Sequence, residues 1–223
     1  MYNMGSSVYF YIVHNMISQP AQEIRELRKD ELTTAAELLA RAMCDNPIFV
    51  QVFGTDRDRR QKALTHCFLA FAPRLQRRGY VLGAFRDSLL TAVCGVAMPG
   101  RCKESLFQRL TILPHLVRGC SPTMLIRAKR WMDEWFRLDL QETHFHLGPG
   151  ATDTHLQGHG IFSAMLWDIC TRMDKLGTTA YLETDKLVNV RFFERFGFVT
   201  VQEGQVLGIP NWFMRRPAGK TSA

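Results

Sequence analysis

The chain has 223 residues, 46% hydrophobic and 22% charged, with 16 glycines and 9 prolines, a balance that excludes intrinsic disorder and a collagen-like chain. A chain of this length buries about 70% of its unfolded surface, so it folds without a metal or disulfide staple. Lys and Arg total 28 against 21 Asp and Glu, a net charge of +7 that attracts anions.

The N-terminal stretch Val8–Val13 (VYFYIV) is apolar but too short to span a bilayer, and no basic segment or small-residue cleavage site makes it a signal peptide. Residues 1–20 read as an extension, with Met16 as an alternative start, and residues 218–223 as a tail. A cytoplasmic protein with no membrane contact is expected. Ile24 to Leu27 alternates apolar and charged residues as a short strand. Thr33 to Met43 carries Leu38, Leu39, Ala42 and Met43 at helical spacing, and Asn46-Pro47 breaks that pattern. From Asp56 a long helix places Leu64, Phe68, Phe71 and Leu75 on one face and stops at Gly79.

Tyr80–Phe85 and Leu89–Met98 form a hairpin around Arg86-Asp87-Ser88. Leu106–Leu116 reads as a helix. Ser121-Pro122 caps another, with Met124, Ala128, Trp131 and Trp135 on its core face. Thr143–Leu147 is a strand leading into Gly148-Pro149-Gly150. A helix then opens at Gln157-Gly158-His159-Gly160, with Phe162, Leu166, Ile169, Met173 and Leu176 inward and Gly177 as its stop. Strand Thr179–Glu183, helix Leu187–Phe196, and strands Phe198–Gln202 and Trp212–Met214 complete one mixed α/β domain over residues 21–217.

The positive residues are dispersed, with short clusters at 57–60 and at Arg127, Lys129 and Arg130, so a nucleic-acid partner is not expected and an anionic cofactor is served equally well. The six cysteines show no CxxC spacing and no Cys/His cluster that reads as a zinc site; they fit small buried thiols in a reducing compartment, and no metal is expected.

A strand, a glycine-bearing loop and a helix make an anion site, because exposed N–H groups and the helix dipole both point at the loop. In Gln157-Gly158-His159-Gly160-Ile161-Phe162 the amides from Gly158 onward are the donors. A dinucleotide-binding glycine motif would need a third glycine where Ser163 stands. The segment resembles the GNAT superfamily of acyl-CoA-dependent N-acetyltransferases. Gln157, Gly160 and Phe162 line up with its pyrophosphate loop, (Gln/Arg)-x-x-Gly-x-(Gly/Ala). Asn189, Phe192-Phe193 and Phe196-Gly197-Phe198 look like its asparagine, aromatic pair and Gly-Phe ending. Tyr181 to Thr184 and Trp212 to Arg216 fit the same pattern, and the likeness covers roughly residues 142–216.

That resemblance implies a mostly antiparallel, twisted central sheet flanked by helices, with a V-shaped parallel splay holding acetyl-CoA as acyl donor. It implies transfer of the acetyl group to a primary amine of a small molecule by direct attack in a ternary complex. Two positions depart from the family. Phe162 stands where a small residue is usual; its ring either turns into the core or crowds the pyrophosphate. Phe193 replaces the tyrosine that protonates the leaving thiolate in many members, and phenylalanine has no proton to donate. Water, Tyr181 or another tyrosine would serve instead. A chain with weakened turnover, kept as an acyl-CoA-binding regulatory or scaffold protein, is the alternative.

Glu142, His144 and His146 recur at every second position, so a strand would place all three on one side. A histidine there is poised to deprotonate an amine near neutral pH. The His-x-His pair is similar to the arylalkylamine branch of the family over those two residues. Leu147 N–H is the expected oxyanion donor. Asn189 would bind the pantetheine amides or cap its helix. Ser163 would add a hydroxyl to the phosphates or serve as an ordinary first-turn residue. His155 and His159 flank the loop. A homodimer is compatible with everything above.

Overall fold

A computed structural model of the chain describes residues 22–102 and 113–219. Its frame is one seven-stranded sheet in the order β1-β2-β3-β4-β5-β7-β6. The strands are β1 (Glu23–Glu26), β2 (Gly79–Arg86), β3 (Leu89–Ala97), β4 (Phe145–Thr152), β5 (Ala180–Thr184), β6 (Val199–Val206) and β7 (Ile209–Arg216). Every neighbouring pair is antiparallel except β4 and β5. The helices are α1 (Leu32–Ala42), α2 (Pro47–Phe53), α3 (Arg57–Arg78), α4 (Leu113–Gly119), α5 (Pro122–Leu138), α6 (Ile161–Lys175) and α7 (Leu187–Glu194). The mixed α/β class and the mostly antiparallel sheet with one parallel pair are therefore as expected.

Local chemistry explains most boundaries. Asp56 accepts from the Arg59 N–H and Ser121 from the Met124 N–H, capping α3 and α5. Asp87 and Ser88 take positive φ in the β2–β3 turn, with Arg86 opposite Leu89, which matches the twist of a tight hairpin. On α3, Leu64, Phe68 and Leu75 are buried as their spacing predicts, and Phe71 is half-buried.

Hydrophobic burial divides into two clusters. One joins α1, α2 and α3 to β2, with Phe49, Phe53, Leu64 and Phe68 at its centre. The other joins α6 to strands β2–β5 and β7 through Met165, Leu166, Ile169, Phe145 and Met214. At about 25 cal/mol per Å² of apolar area, such clusters supply the main driving force for folding.

Four expectations are corrected. Asn46-Pro47 begins a helix instead of merely breaking one: Pro47 is the first residue of α2, where its missing N–H costs nothing. Gly148-Pro149-Gly150 is not a terminating turn, because β4 runs through it to Thr152. It pairs Leu147 with Val96 and Gly150 with Cys94, and the register shift between these pairs makes a bulge at Gly148-Pro149. Leu176, expected inward, lies just past the end of α6 and is 60% exposed. The last two strands are longer than predicted and meet at a turn over Leu207-Gly208. Of the helix expected at Leu106–Leu116, residues 106–112 lie outside the described set, and the described part of α4 is Leu113–Gly119. Residues 1–20 also lie outside it.

Candidate active site

The site begins where β4 and β5 stop pairing. Their parallel ladder consists of Phe145↔Ala180 and His146↔Tyr181. Beyond His146, β4 continues for six residues paired to β3, and β5 continues to Thr184 paired to β7. A wedge-shaped gap opens between them, and Leu147 is the first β4 residue past the split. Leu147 is 5% exposed, and its partner on the other side is Val96.

The glycine loop stands at the wide end of this gap. Asp153 Oδ1 accepts from His155 N–H, and Gln157 donates its side-chain amide to the Thr152 carbonyl at 3.3 Å, which holds the loop against the end of β4. Gly158 and Gly160 adopt φ of +81° and +77°, and a Cβ at either would meet nothing within 4 Å, so backbone conformation and not crowding requires glycine there. Gly160 is the N-cap of α6, and the Ala164 N–H already bonds its carbonyl. The amides of Ile161, Phe162 and Ser163 are the unsatisfied first-turn donors that a helix N-terminus offers an anion. Gln157, Gly158, His159 and Gly160 are exposed, Ser163 is half-buried, and His159 Nδ1 donates to the Gln157 carbonyl at 3.0 Å.

Phe162 turns toward the sheet. A Cβ built on Gly150 would lie 2.8 Å from its Cζ, so the ring covers Gly150 closely, and its centroid is 6.0 Å from that of Phe192 on α7. Phe192 also packs on Phe193 at 5.3 Å, and Phe193 on Phe198 at 5.8 Å. Asn189 does not cap α7, because Lys186 holds the N-cap; its Nδ2 instead donates to Thr184 Oγ1 at 3.0 Å.

On the other side of the split lies a cavity of about 880 Å³, walled by α2, α3 and α5 and lined by Phe49, Phe68, Trp131 and Trp135. It reaches His146, Glu183, Gly148 to Gly150, Phe162, Asn189 and Phe193, so the chamber and the gap are continuous. Phe49 meets Phe68 and Trp131 edge-on at 6.1 and 5.5 Å, which fixes the aromatic wall.

The three candidate catalytic residues stand in different surroundings, although the His144 and His146 rings are 5.9 Å apart. Glu142 precedes β4 and is exposed; its carboxylate bonds Arg215 Nε at 2.5 Å, which holds its pKa below the usual carboxylate range. The regular strand starts only at Phe145, so Glu142 and His144 stand ahead of it. His144 is buried, 3% exposed, and its Nδ1–H donates to the Glu142 carbonyl at 2.8 Å. Burial opposes its charge, but Asp139, Cys102 and that carbonyl prevail and hold its pKa up at about 10. His146 keeps a quarter of its side chain exposed, lines the cavity, and donates Nε2–H to Glu183 Oε2 at 3.0 Å. Burial pulls its pKa down and the Glu183 carboxylate more than offsets this, so it sits above 6.5. Nδ1 of its neutral form then carries a lone pair.

Tyr181 is fully buried between the two imidazoles, at 5.2 and 5.4 Å, and its hydroxyl donates to the Leu138 carbonyl. Burial raises its pKa further. A phenol so occupied is a support for the histidines and not a ready proton donor.

Three residues went unread in the sequence. Glu183 orients His146. Asp139 stands beside His144. Asp185 accepts from the Ile48 N–H at 2.8 Å and so caps α2 from across the fold. Glu183 and Asp185 act over separations of 37 and 137 residues, for which no local pattern exists.

No protein-family profile matches the chain, and no curated protein matches it. Solved structures do. A Corynebacterium glutamicum protein named "histone acetyltransferase HPA2 and related acetyltransferase" shares 18% identity at a TM-score of 0.68, over 91% of this chain and 99% of that one. A mosquito arylalkylamine N-acetyltransferase like 5b shares 20% at 0.54, over 88% and 100%. The PaiA N-acetyltransferase of Thermoplasma acidophilum, in complex with coenzyme A, shares 14% at 0.54, over 88% and 99%. The fold is the GNAT acetyltransferase fold. Among the described residues, no helix is long and apolar enough to cross a membrane.

Proposed function

We propose that the protein is an acyl-CoA-dependent N-acetyltransferase that moves the acetyl group of acetyl-CoA to a primary amine of a small molecule. The observation that carries this reading is the continuity of three parts. These are an anion-binding helix terminus, the gap between β4 and β5, and a chamber with a carboxylate-oriented histidine at the point where they meet. Solved neighbours of the same fold contain coenzyme A or acetyl-CoA, which supports acetyl-CoA as donor. The transferase domain is residues 21–217.

In this reading the pyrophosphate rests on the amides of Gly158 to Ser163, flanked by Gln157 and His159, and the pantetheine arm runs along β4 past Asn189, Phe192 and Phe193. Leu147 N–H receives the developing oxyanion. An alkylammonium with a pKa of about 10.4 must lose a proton before it attacks. His146 takes it on Nδ1 while Glu183 stabilises the resulting imidazolium. His144, already cationic at neutral pH and walled in, positions Tyr181 and His146. Glu142 ties the strand's approach to β7 through Arg215. The apolar chamber suits an amine borne on an apolar body. Attack gives a zwitterionic tetrahedral intermediate that passes its remaining ammonium proton to water and collapses to amide and CoA thiolate. A thiol pKa of about 8.5 lets water protonate that thiolate without a tyrosine at Phe193.

The test is CoA-thiol release from acetyl-CoA with and without a panel of primary amines. Amine-dependent release that His146→Ala depresses by roughly 10²–10⁴-fold supports the reading. Tight acetyl-CoA binding with no release on any amine would replace it with the non-catalytic binding protein, for which the aromatic packing of Phe193, which has no proton to donate, is the favouring observation.

A further inference from the structure

Cys102, His144 and His146 each offer a ligand atom, and these three atoms lie within 4.8 Å of one another. Cys102 comes from the segment after β3 and the histidines from the start of β4, so no sequence spacing announces the group. Cys102 and His144 are buried, and Cys102, His146 and Asp139 face the cavity.

Each imidazole is already oriented from behind. The Glu142 carbonyl takes the His144 Nδ1–H and the Glu183 carboxylate takes the His146 Nε2–H. These bonds leave Nε2 of neutral His144 and Nδ1 of neutral His146 as lone-pair donors, the outer-sphere arrangement that metal-binding histidines use. Two buried atoms at the same place, His144 Nε2 and Asp139 Oδ1, have no hydrogen-bond partner among the described residues. They stand 3.3 Å apart but off the direction of a hydrogen bond. With Zn–S near 2.3 Å and Zn–N or Zn–O of about 2.0–2.2 Å, two ligands on a tetrahedral zinc are roughly 3.3–3.7 Å apart. The His144–Asp139 pair already has that spacing.

We propose that Cys102, His144, His146 and Asp139 form a zinc site in the wall of the cavity, and that occupancy switches off acetyl transfer by engaging His146. The inhibitory half rests on the function proposed above; the metal site does not. One thiolate and one carboxylate neutralise the 2+ charge, so the filled site carries no net charge into a buried position. Sulfur and imidazole donors select Zn2+ over Mg2+ or Ca2+. Zn2+ displaces the thiol proton and any imidazolium proton as it binds, so affinity rises with pH.

The test is titration of chelator-treated protein with Co2+, which reports thiolate coordination by a near-ultraviolet charge-transfer band, followed by displacement with Zn2+. The expected result is one equivalent of Co2+ with that band, bleached by one equivalent of Zn2+, lost in Cys102→Ser and retained in Cys120→Ser. No band in the wild-type protein, or a band that survives Cys102→Ser, overturns the site. The wild-type spectrum decides even if a variant fails to fold. In the acetyl-transfer assay, Zn2+ at saturation is expected to cut turnover at least tenfold, restored by chelator. A filled site with unchanged turnover overturns the inhibitory role alone. Absence of turnover under every condition counts against the transferase reading, and the Co2+ spectrum still decides the site.

Discussion

His146 on β4 and Glu183 on β5 meet at 3.0 Å across the point where the two strands cease to pair. The split gives the histidine both its orientation and its access, since the carboxylate fixes Nε2 while the parting strands expose the other ring edge.

The pH profile follows from that pair. Burial lowers the His146 pKa and Glu183 raises it by more, so the protonated form persists above 6.5. Transfer needs the unprotonated ring. In chelator-treated protein, kcat/KM is therefore expected to rise with pH along a limb whose midpoint lies above 6.5. Glu183→Gln removes the negative charge and should move that limb to lower pH, while His146→Ala should abolish it. A limb unchanged in both variants contradicts the base assignment.

Gly160 holds φ +77° with open space where a Cβ would be. Gly160→Ala should cost about 1–2 kcal/mol of stability through left-handed strain alone. It should weaken acetyl-CoA binding as well, because the first-turn amides shift with the cap. Denaturant unfolding and calorimetry of the same variant check both.

A third expectation concerns the bulge that lets β4 pass through Gly148-Pro149. A Cβ on Gly95 would stand 2.6 Å from Leu75 Cδ1 and 3.0 Å from the Gly148 carbonyl oxygen. Gly95→Ala should destabilise by about 1–3 kcal/mol, read from the urea midpoint, and should disturb activity by moving the strand that carries His146.

Much of this architecture was legible because it is local. The 4, 3, 4 spacing of Leu64, Phe68, Phe71 and Leu75, the Ser121-Pro122 cap and the glycine loop each declare themselves within a few residues. The passage of β4 through Gly-Pro-Gly was not, since the dipeptides that mark turns also make bulges when a partner strand supplies the ladder. The pairing of Glu142 with Arg215 on β7 was not legible either, since the regular strand begins three residues after Glu142 and the partner lies 73 residues away. Glu183, Asp139 and Asp185 are isolated acids whose roles arise only when β5 and the end of α5 are brought beside β4 and α2.

Asp185 supplies a fourth prediction. Burial raises its pKa, partly offset by the Ile48 N–H. Ionisation of a carboxyl with a raised folded pKa works against folding as pH rises past the unfolded value. Asp185→Asn keeps an acceptor for Ile48 and removes the buried charge, so at pH 7 it should be at least as stable as wild type. Asp185→Ala loses the cap and should cost about 1–2 kcal/mol. Equal losses in both variants would contradict the capping role.

In the proposed function acetyl-CoA occupies the gap between β4 and β5 with its pyrophosphate on the α6 terminus. Calorimetric titration of the wild-type protein and of Gly160→Trp with acetyl-CoA tests it most directly, with a melting curve to verify that the variant is folded. Micromolar, one-to-one binding to the wild type and none to the folded variant are expected. No binding to the wild type, or binding that Gly160→Trp leaves intact, would contradict it.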